Sequence, residues 1–480
     1  MILLYTVIGL LLLFLLVLVT RAIWVKARAR ALGSYIDHES PEKQEYYADR
    51  LARMIRCQTV SREDSFAPEE FKKLHRVMEE LFPLIHSRGE RMIFSDDCWI
   101  YRLPGKDTGR NIMLMSHHDV VKAEGNWTYP PFGGEIHDGA LWGRGTVDTK
   151  TPLFAEFSAL EELLESGWEP PVNVYIGSSH NEELGGDGIP LARDYFKKRG
   201  IRFELILDEG GAVISPPLPG MKCTCAMLAV HEKGRCYLRC RAEENKGHAS
   251  LTPGKGTPVE RMSRFIAESQ GIFLRRMYPE VRAMFESLCP YLPFPLRLVF
   301  SNLWCFRPLL VRLIPAINAS AGSMLGTTCS FRGIHGGKQE EKTEDFCECT
   351  ALLRCVDDKD QQKDLEALKQ LGQKHGVTVE VTELEFYPPA NMDCLGYQHA
   401  KKTAEKMFPA SAVSPFILPA GTDARHMRDV SDAVVRFAPI AINDQQYGSV
   451  HGDDENISLP AIGNAVAYYR ELLRSYPDSL

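Results

Sequence analysis

Apolar runs and apolar residues at helical spacing alternate along much of the chain. Residues 111–115, 172–177 and 203–207 are short apolar runs that carry charge only at their edges, as is typical of buried strands in a largely parallel sheet. Between the first two runs, residues 152–166 show helical periodicity, with a proline in the first turn and a glycine just after the end. Strands that alternate with helices predict an α/β fold with a mostly parallel central sheet and right-handed crossovers.

The pattern changes from about residue 228 onwards. Residues 236–241 alternate like a half-exposed strand, and residues 278–315 form an apolar stretch rich in proline and aromatic residues, which is typical of a lid, an oligomer contact or a membrane-facing patch. A helix over residues 361–375 and a strand over 377–384 are expected next, before helix–strand alternation resumes. We therefore expect one domain inserted into another, with these segments: an anchor at 2–20, a first domain in two parts at 32–226 and 387–480, and an inserted α+β domain at 227–386.

Residues 2–20 form an apolar segment as long as a helix that crosses a bilayer. The nearest basic residues all follow it, at Arg21, Lys26, Arg28 and Arg30. A cleaved signal peptide has basic residues before a shorter apolar core, so we predict a single-pass transmembrane helix with the body of the protein in the cytoplasm. A buried core helix and an uncleaved export signal are the alternatives. Two amphipathic helices are expected next, over residues 40–60 and 69–86.

Composition limits the expected partners and the compartment. The chain has 480 residues, 44% of them hydrophobic, which is enough for a large core and for roughly two to four domains. Its 63 acidic residues outnumber its 56 basic residues, so a nucleic-acid partner is not expected. The 13 cysteines are too sparse for a disulfide scaffold, and their close pairs lack the C-x-x-C spacing of a zinc site. We expect a reducing compartment and no metal bound by cysteine.

Metal-binding side chains follow each of the three predicted strands. They lie in His-His-Asp at 117–119, His-Asn-Glu-Glu at 180–183 and Asp-Glu at 208–209. In open α/β sheets ligands bind beyond the carboxyl ends of the strands, so these groups are expected to converge. Asp148, just before the predicted helix, is expected in the same crevice. Each group alone has an ordinary explanation as a helix cap or a solvated turn, but their occurrence at successive strand ends predicts a metal site.

A series of ordered motifs is specific enough to indicate a family. The motifs are His-x-Asp-Val-Val, Trp-Gly-Arg-Gly-x-x-Asp, Glu-Glu, Asp-Glu-Gly-Gly, Gly-His-Ala-Ser, Gly-Thr-Asp-x-Arg and a late His-Gly. From about residue 40 to the C-terminus, the chain resembles the dinuclear-zinc metallopeptidases that include carboxypeptidase S, glutamate carboxypeptidase, aminoacylase and acetylornithine deacetylase. It is most similar to the carboxypeptidase S and N-fatty-acyl-amino-acid hydrolase branch. The resemblance implies a zinc-peptidase catalytic domain interrupted by an inserted lid and dimerisation domain.

The resemblance also implies roles for individual residues. It implies two metal ions, one bound by His117, Asp148 and Asp208 and the other by Asp148, Glu183 and His451, so that Asp148 bridges the two. Asp119 would hold His117 through a hydrogen bond to its second ring nitrogen. Glu182 would be the general base and acid.

Two further residues are expected to act on the substrate. His248, in the inserted domain, would donate to the oxyanion from a dimer partner or a closing lid, unless it is only a turn residue. Arg425 would bind a substrate carboxylate, unless it forms a surface ion pair with Asp423 or Asp429. Relatives commonly carry an Asn and a Pro after a Gly-x-Lys of the inserted domain, whereas residues 337–342 contain neither. This departure leaves the substrate class open.

The implied ligands also satisfy the charge and chemistry of a dinuclear centre. The carboxylates of Asp148, Glu183 and Asp208 and a bridging hydroxide would neutralise two divalent cations. Imidazole, carboxylate and water ligands favour zinc, although cobalt or manganese would also fit. Two such ions lower the pKa of a shared water to about 7 and polarise a carbonyl, and Glu182 can pass the proton to the departing nitrogen. We therefore predict a metal-dependent hydrolase, a carboxypeptidase or N-acyl-amino-acid hydrolase, that cleaves an amide next to a free carboxylate.

The expected substrate is a dipeptide or an N-acyl amino acid. The membrane anchor and the apolar stretch at 278–315 favour a long, apolar acyl group. The alternative to an enzyme is a catalytically inactive, metal-binding relative that acts as a membrane-tethered scaffold. Retention of Glu182 argues against this alternative, because a scaffold has no use for a base beside its ligands. A homodimer is expected from the resemblance alone.

Overall fold

The computed structural model describes residues 1–62, 68–243, 256–336 and 346–477. In chain order, the strands of these residues are β1 (Glu90–Phe94), β2 (Cys98–Leu103), β3 (Asp107–His117), β4 (Glu135–His137), β5 (Ala140–Trp142), β6 (Val172–Ser179), β7 (Leu205–Asp208), β8 (Val213–Ile214), β9 (Cys225–Glu232), β10 (Gly234–Glu243), β11 (Thr328–Gly336), β12 (Phe346–Cys355), β13 (Thr378–Glu385), β14 (Ala412–Leu418), β15 (Val434–Arg436) and β16 (Asn456–Ser458).

The helices follow the same order. They are α1 (Ile2–Ala27), α2 (Pro41–Ile55), α3 (Pro68–Leu81), α4 (Pro83–Arg88), α5 (Lys150–Glu165), α6 (Gly188–Lys198), α7 (Pro258–Ser269), α8 (Pro279–Leu288), α9 (Phe294–Phe300), α10 (Leu303–Ile317), α11 (Ala319–Ser323), α12 (Asp358–His375), α13 (Leu395–Met407), α14 (Asp444–Gly448) and α15 (Leu459–Arg474). Short 3-10 turns occupy Glu182–Leu184, Cys289–Tyr291 and Asp423–Val430. The predicted helix over 69–86 is divided at Pro83, because proline has no N–H to continue the helix.

The largest sheet is mixed, with parallel strands at its centre. Its order is β1-β2-β6-β3-β7-β15-β9-β14, and β8 pairs with β9. The strands from β6 to β15 are parallel, as are β9 and β14. The hairpin of β1 and β2 joins β6 antiparallel, and β15 meets β9 antiparallel. The predicted α/β fold is confirmed, and its sheet is less uniformly parallel than expected because of these antiparallel additions.

The three apolar runs of the sequence lie in β3, β6 and β7, at the centre of this sheet. All of β6 and β7 is buried, and so is the second half of β3. The predicted crossover helix is α5, which connects the strand pair β5 and β4 to β6 and packs against α15. The helix is buried on nearly all sides, so that even Glu156 and Glu161 in its middle are buried. The carboxyl ends of β3, β6 and β7 therefore lie side by side, as expected.

A second, antiparallel sheet is built from residues between β9 and β14. Its order is β11-β12-β10-β13, and α7 and α12 pack against it. The chain returns to the central sheet at β14. An inserted domain at 227–386 agrees with this order and stays a prediction. Its first boundary falls inside β9, which is a strand of the central sheet.

The N-terminal helix α1 is long and apolar enough to cross a membrane, with a mean hydropathy of 3.1 over its most apolar part. Its only buried residues are Leu18 and Ala22. The Asn302 side chain donates to the Leu18 carbonyl at 3.1 Å, and the Trp304 ring lies 5.9 Å from the Phe14 ring. The α1 helix therefore contacts the corner between α9 and α10. Signal sequences share this length and composition.

Candidate metal centre

Four of the predicted ligands converge at the carboxyl edge of the central sheet. Asp148 directs its two oxygens to two different histidines: Oδ1 lies 3.0 Å from His117 Nε2, and Oδ2 lies 3.2 Å from His451 Nε2. His451 Nε2 also lies 3.1 Å from Glu183 Oε2. Two ligand atoms of one tetrahedral zinc ion are about 3.3 Å apart, given bonds of about 2.0–2.1 Å. The donor types and their separations therefore fit a pair of divalent cations that share Asp148.

A buried carboxylate holds the loop that carries Asp148 through contacts that the sequence did not predict. Glu455 is fully buried and accepts hydrogen bonds from the backbone N–H groups of Gly145, Val147 and Asp148, at 3.1, 2.7 and 3.1 Å. Its Oε2 also accepts from Arg144 Nη1 at 2.6 Å. The only signal in the sequence was its place four residues after His451. Glu455 therefore fixes the backbone of Asp148.

Asp119 connects the first strand end to the second. Its Oδ1 lies 3.2 Å from His117 Nδ1, on the side of the ring opposite Asp148. The same carboxylate accepts the backbone N–H groups of Glu182 and Glu183, each at 3.2 Å, and a hydrogen bond from the Ser61 hydroxyl. The contact with His117 was expected, whereas the link to the turn after β6 was not. Asp119 therefore orients both His117 and the Glu182–Leu184 turn.

His451 has an unusual backbone conformation. Its φ is +61°, in the left-handed region that costs a residue with a Cβ about 1–2 kcal/mol. Hydrogen bonding to Asp148 and Glu183 raises the pKa of His451 to about 10. Half of its side chain is exposed, so the imidazole sits at the mouth of the site. A strained backbone that directs an imidazole at two carboxylates is typical of a functional position.

Glu182 lies beside the candidate ligands, and its side chain is largely buried. Burial, and then the negative charges of Asp423 and Glu183, raise the pKa of Glu182 well above its usual value, against the opposing effect of His117. The nearest cation is the buried Arg425, whose Nη1 lies 3.7 Å from Glu182 Oε1. A carboxylate with a raised pKa is suited to accept a proton at neutral pH.

Arg425 is buried, so the alternative of a surface ion pair is wrong. Its Nη1 donates to the Thr422 carbonyl at 2.6 Å, and its Nε has no hydrogen-bond partner among the described residues. Asp423 accepts from the Ser179 hydroxyl, and Asp429 instead pairs with Lys197 at 2.7 Å. A donor of Arg425 is thus left for a ligand.

The third strand end presents two carboxylates with different surroundings. Asp208 is buried, and its Oδ2 accepts the Ala424 N–H at 2.9 Å. Burial, and then the charge of Asp423, raise the pKa of Asp208 to about 7. Glu209 instead lines the cavity that contains Asp148. Burial and the charges of Asp148 and Asp208 raise the pKa of Glu209 well above its usual value.

A cavity of about 390 Å³ opens at these residues. The ionisable side chains of Asp148, Glu182, Glu183, Glu209 and His451 line it. Its apolar lining consists of Val147, Ala212, Leu418, Ala420, Ala438, Ile440, Ile442 and Val450. Among the described residues, the apolar stretch at 278–315 contributes nothing to this lining. His248 and the segment at 337–342 lie outside the described residues.

Comparisons with known proteins show the family of the chain. A family model described as peptidase family M20/M25/M40 matches residues 113–475. The probable carboxypeptidase S-like 2 of Dictyostelium discoideum is 27% identical over 441 residues, which cover 89% of this chain and 84% of that protein. The N-fatty-acyl-amino acid synthase/hydrolase PM20D1 of Homo sapiens is 28% identical over 452 residues, which cover 91% of this chain and 89% of that protein.

A solved structure shares the fold. The M20 family metallo-carboxypeptidase Sso-CP2 from Sulfolobus solfataricus aligns with a TM-score of 0.62 at 17% identity, over 90% of this chain and 99% of that chain. The segment matched by the family model extends from β3 to the end of α15 and contains the candidate ligands. The expected family is therefore confirmed. The chain belongs to peptidase family M20/M25/M40, whose members are metal-dependent peptidases and amidohydrolases.

Proposed function

We propose that this chain hydrolyses the amide bond of an N-acyl amino acid or a dipeptide, with two divalent cations, most simply zinc, in the candidate metal centre. One observation carries the proposal. Asp148 directs its two oxygens to two different histidines, and Glu182 lines the same cavity. A carboxylate in this position can bridge two ions, and the neighbouring carboxylate can move a proton.

The ligands divide into two groups that share Asp148. His451 and Glu183 complete one group and His117 the other, together with a carboxylate from the end of β7. We assign that carboxylate to Glu209, as an alternative to the expected Asp208. Glu209 lines the cavity, whereas an oxygen of Asp208 is already engaged by the Ala424 N–H.

The chain's own groups then carry out the proton transfers. When bound, the two cations lower the pKa of a water and polarise the scissile carbonyl. Glu182 accepts the proton of the attacking water and returns it to the departing nitrogen. Asp119 contacts both His117 and the backbone of the Glu182–Leu184 turn, so it holds the two in a fixed relative position. The unsatisfied Nε of Arg425 supports its expected role as the donor to the substrate carboxylate.

The names of the relatives agree with this substrate class. One is called a probable carboxypeptidase and another an N-fatty-acyl-amino acid synthase/hydrolase. The apolar lining between Leu418 and Val450 offers a surface for an acyl chain beside the catalytic residues. We therefore place the acyl group against this lining instead of against the stretch at 278–315. Oxyanion binding by His248 and a homodimer stay predictions.

We further propose that α1 anchors the protein in a membrane, with the catalytic body in the cytoplasm. The contacts of Asn302 and Trp304 tie α1 to the folded body, as expected of a helix that is retained in the mature protein. The neighbouring α10 exposes Leu309, Leu313 and Ile317 on one face. An apolar helix face beside a membrane-spanning helix is suited to contact lipid.

Hydrolysis assays on the metal-depleted and zinc-reloaded full chain test the proposal. We expect no hydrolysis without metal, and recovery with zinc, on N-oleoyl-phenylalanine or on a dipeptide. A preference for N-oleoyl-phenylalanine supports the acyl lining, and cleavage of dipeptides alone would overturn that part. Loss of activity in His451→Gln but not in Glu124→Gln, which removes an exposed carboxylate, would place the chemistry at this site. Zinc-loaded protein that hydrolyses neither substrate would contradict the proposed reaction.

A further inference from the structure

A second group of metal-binding side chains lies next to the candidate metal centre. His75 Nε2 lies 3.1 Å from Asp97 Oδ2, and His118 Nε2 lies 3.5 Å from the same oxygen. All three atoms lie within 4.8 Å of one another. They come from α3, from the turn between β1 and β2, and from the residue that follows β3. Three segments that are distant in sequence therefore bring ligand atoms to one point.

These contacts are not ordinary hydrogen bonds. The three atoms are buried, and none of them has a hydrogen-bond partner of acceptable geometry among the described residues. A buried polar group without a partner costs about 1–3 kcal/mol, so three together need an explanation. In a tetrahedral zinc site the ligand atoms point at the ion instead of at each other, and they lie about 3.3 Å apart. The observed separations of 3.1 and 3.5 Å match that arrangement.

The surroundings of the cluster also suit a metal ion. His118 Nδ1 lies 2.8 Å from the Ser178 hydroxyl, and if that hydroxyl accepts the Nδ1 proton, the Nε2 lone pair is free for a metal. The Trp99 ring packs against both imidazoles, with ring centroids 4.9 Å from His75 and 5.4 Å from His118. The contacts with Ser178 and Trp99 hold the two imidazole rings in place.

An opening leads to the cluster. His75 and Asp97 line a cavity of about 180 Å³, together with Glu79 and His86. A cavity of this size has room for a water as fourth ligand and gives an ion a path from solvent. The negative charge of Glu79 would attract a cation, although Arg91 also lines the cavity and lies 3.6 Å from Glu79.

We propose that His75, Asp97 and His118 bind a divalent transition-metal ion of their own, most simply zinc, with a water as fourth ligand. The ion would join α3, the β1–β2 turn and the end of β3. Because His118 is the neighbour of His117, a metal here would stiffen the strand end that presents His117. The site is structural and separate from the two ions of the proposed reaction.

Counting metal in the purified full chain tests this site. The protein is saturated with zinc, dialysed and analysed by plasma mass spectrometry, with circular dichroism as a check of folding. We expect three ions per wild-type chain, and one fewer in His75→Gln and in Asp97→Asn. The matched control is His86→Gln, which changes an imidazole of the same cavity outside the cluster and should leave the count unchanged.

The outcomes separate this site from the proposed active site. Equal counts in wild type, His75→Gln and Asp97→Asn would overturn the proposal, whatever the activity. The double variant Asp148→Asn/His451→Gln weakens the other centre and should still hold one zinc ion. If both single variants fail to fold, that remaining ion decides. Loss of this zinc ion when His118→Gln is added to the double variant supports the site. A double variant that binds no zinc ion contradicts it.

Discussion

Replacing Glu455 with glutamine tests whether one buried carboxylate holds the loop that carries Asp148. Glu455 accepts three backbone N–H groups of this loop and an Nη1 hydrogen bond from Arg144. Both partners of the ion pair are buried, with side chains 0% and 2% exposed. A glutamine has one acceptor oxygen instead of two, and its amide group places a donor against these donors. The variant also leaves a buried guanidinium without its countercharge.

The size of the effect follows from this geometry. Removing one partner of a buried ion pair costs about 3–5 kcal/mol of unfolding free energy. Displacing the backbone of a metal ligand through its supporting residue costs about 10–100-fold in metal affinity. The matched control is Glu80→Gln, because Glu80 pairs with Arg53 on the surface, where the side chains are 64% and 40% exposed. An exposed pair contributes less than about 1 kcal/mol.

Two assays measure these effects in the full chain. Urea unfolding reports the stability difference, and competition with a chelator reports zinc affinity. We expect Glu455→Gln to lower both and Glu80→Gln to change neither. If the two variants have the same urea midpoint and bind zinc equally well, the positioning role assigned to Glu455 is refuted.

Three other predictions concern a buried acid, the third strand end and the membrane. Burial raises the pKa of Glu156 well above its usual value, so its stabilising contribution is complete at low pH and is lost as pH rises towards the folded-state pKa. Glu156→Gln should therefore gain stability over wild type by up to about 1.4 kcal/mol per pH unit as the pH rises above about 5 in thermal unfolding, and a difference independent of pH would contradict this. Glu209→Gln should weaken zinc binding at least about tenfold and more than Asp208→Asn does, and the reverse order would make Asp208 the ligand. A photoactivatable phospholipid should label peptides of both α1 and α10 in vesicles, whereas labelling of α1 alone would exclude the lipid contact of α10.

Much of the fold could be predicted from the sequence because its central strands are buried on both faces. Continuous apolar runs at β3, β6 and β7 report such burial directly, and the polar residues that follow them mark the edge where ligands bind. The antiparallel joins at β2 and β9 were not predicted, because strand direction depends on partners that are distant in sequence.

The candidate site was predictable at some positions and not at others. His117 ends β3 and Asp148 lies just before α5, and both elements have clear hydrophobic patterns. The position of these two residues in the crevice could therefore be predicted from the sequence. Successive residues of an extended chain point to opposite sides, so the sequence alone does not decide between Asp208 and Glu209. The support from Glu455 depends on a contact across more than 300 residues, and its place four residues after His451 does not reveal that contact.

The most direct test of the central claim compares zinc-loaded wild type with Glu182→Gln at equal zinc content on an N-acyl amino acid. If Glu182 moves the proton between water and the departing nitrogen, kcat should fall by about 10²–10⁴-fold while the zinc content stays the same. A variant that keeps its zinc and hydrolyses the substrate as fast as wild type would contradict the proposed mechanism.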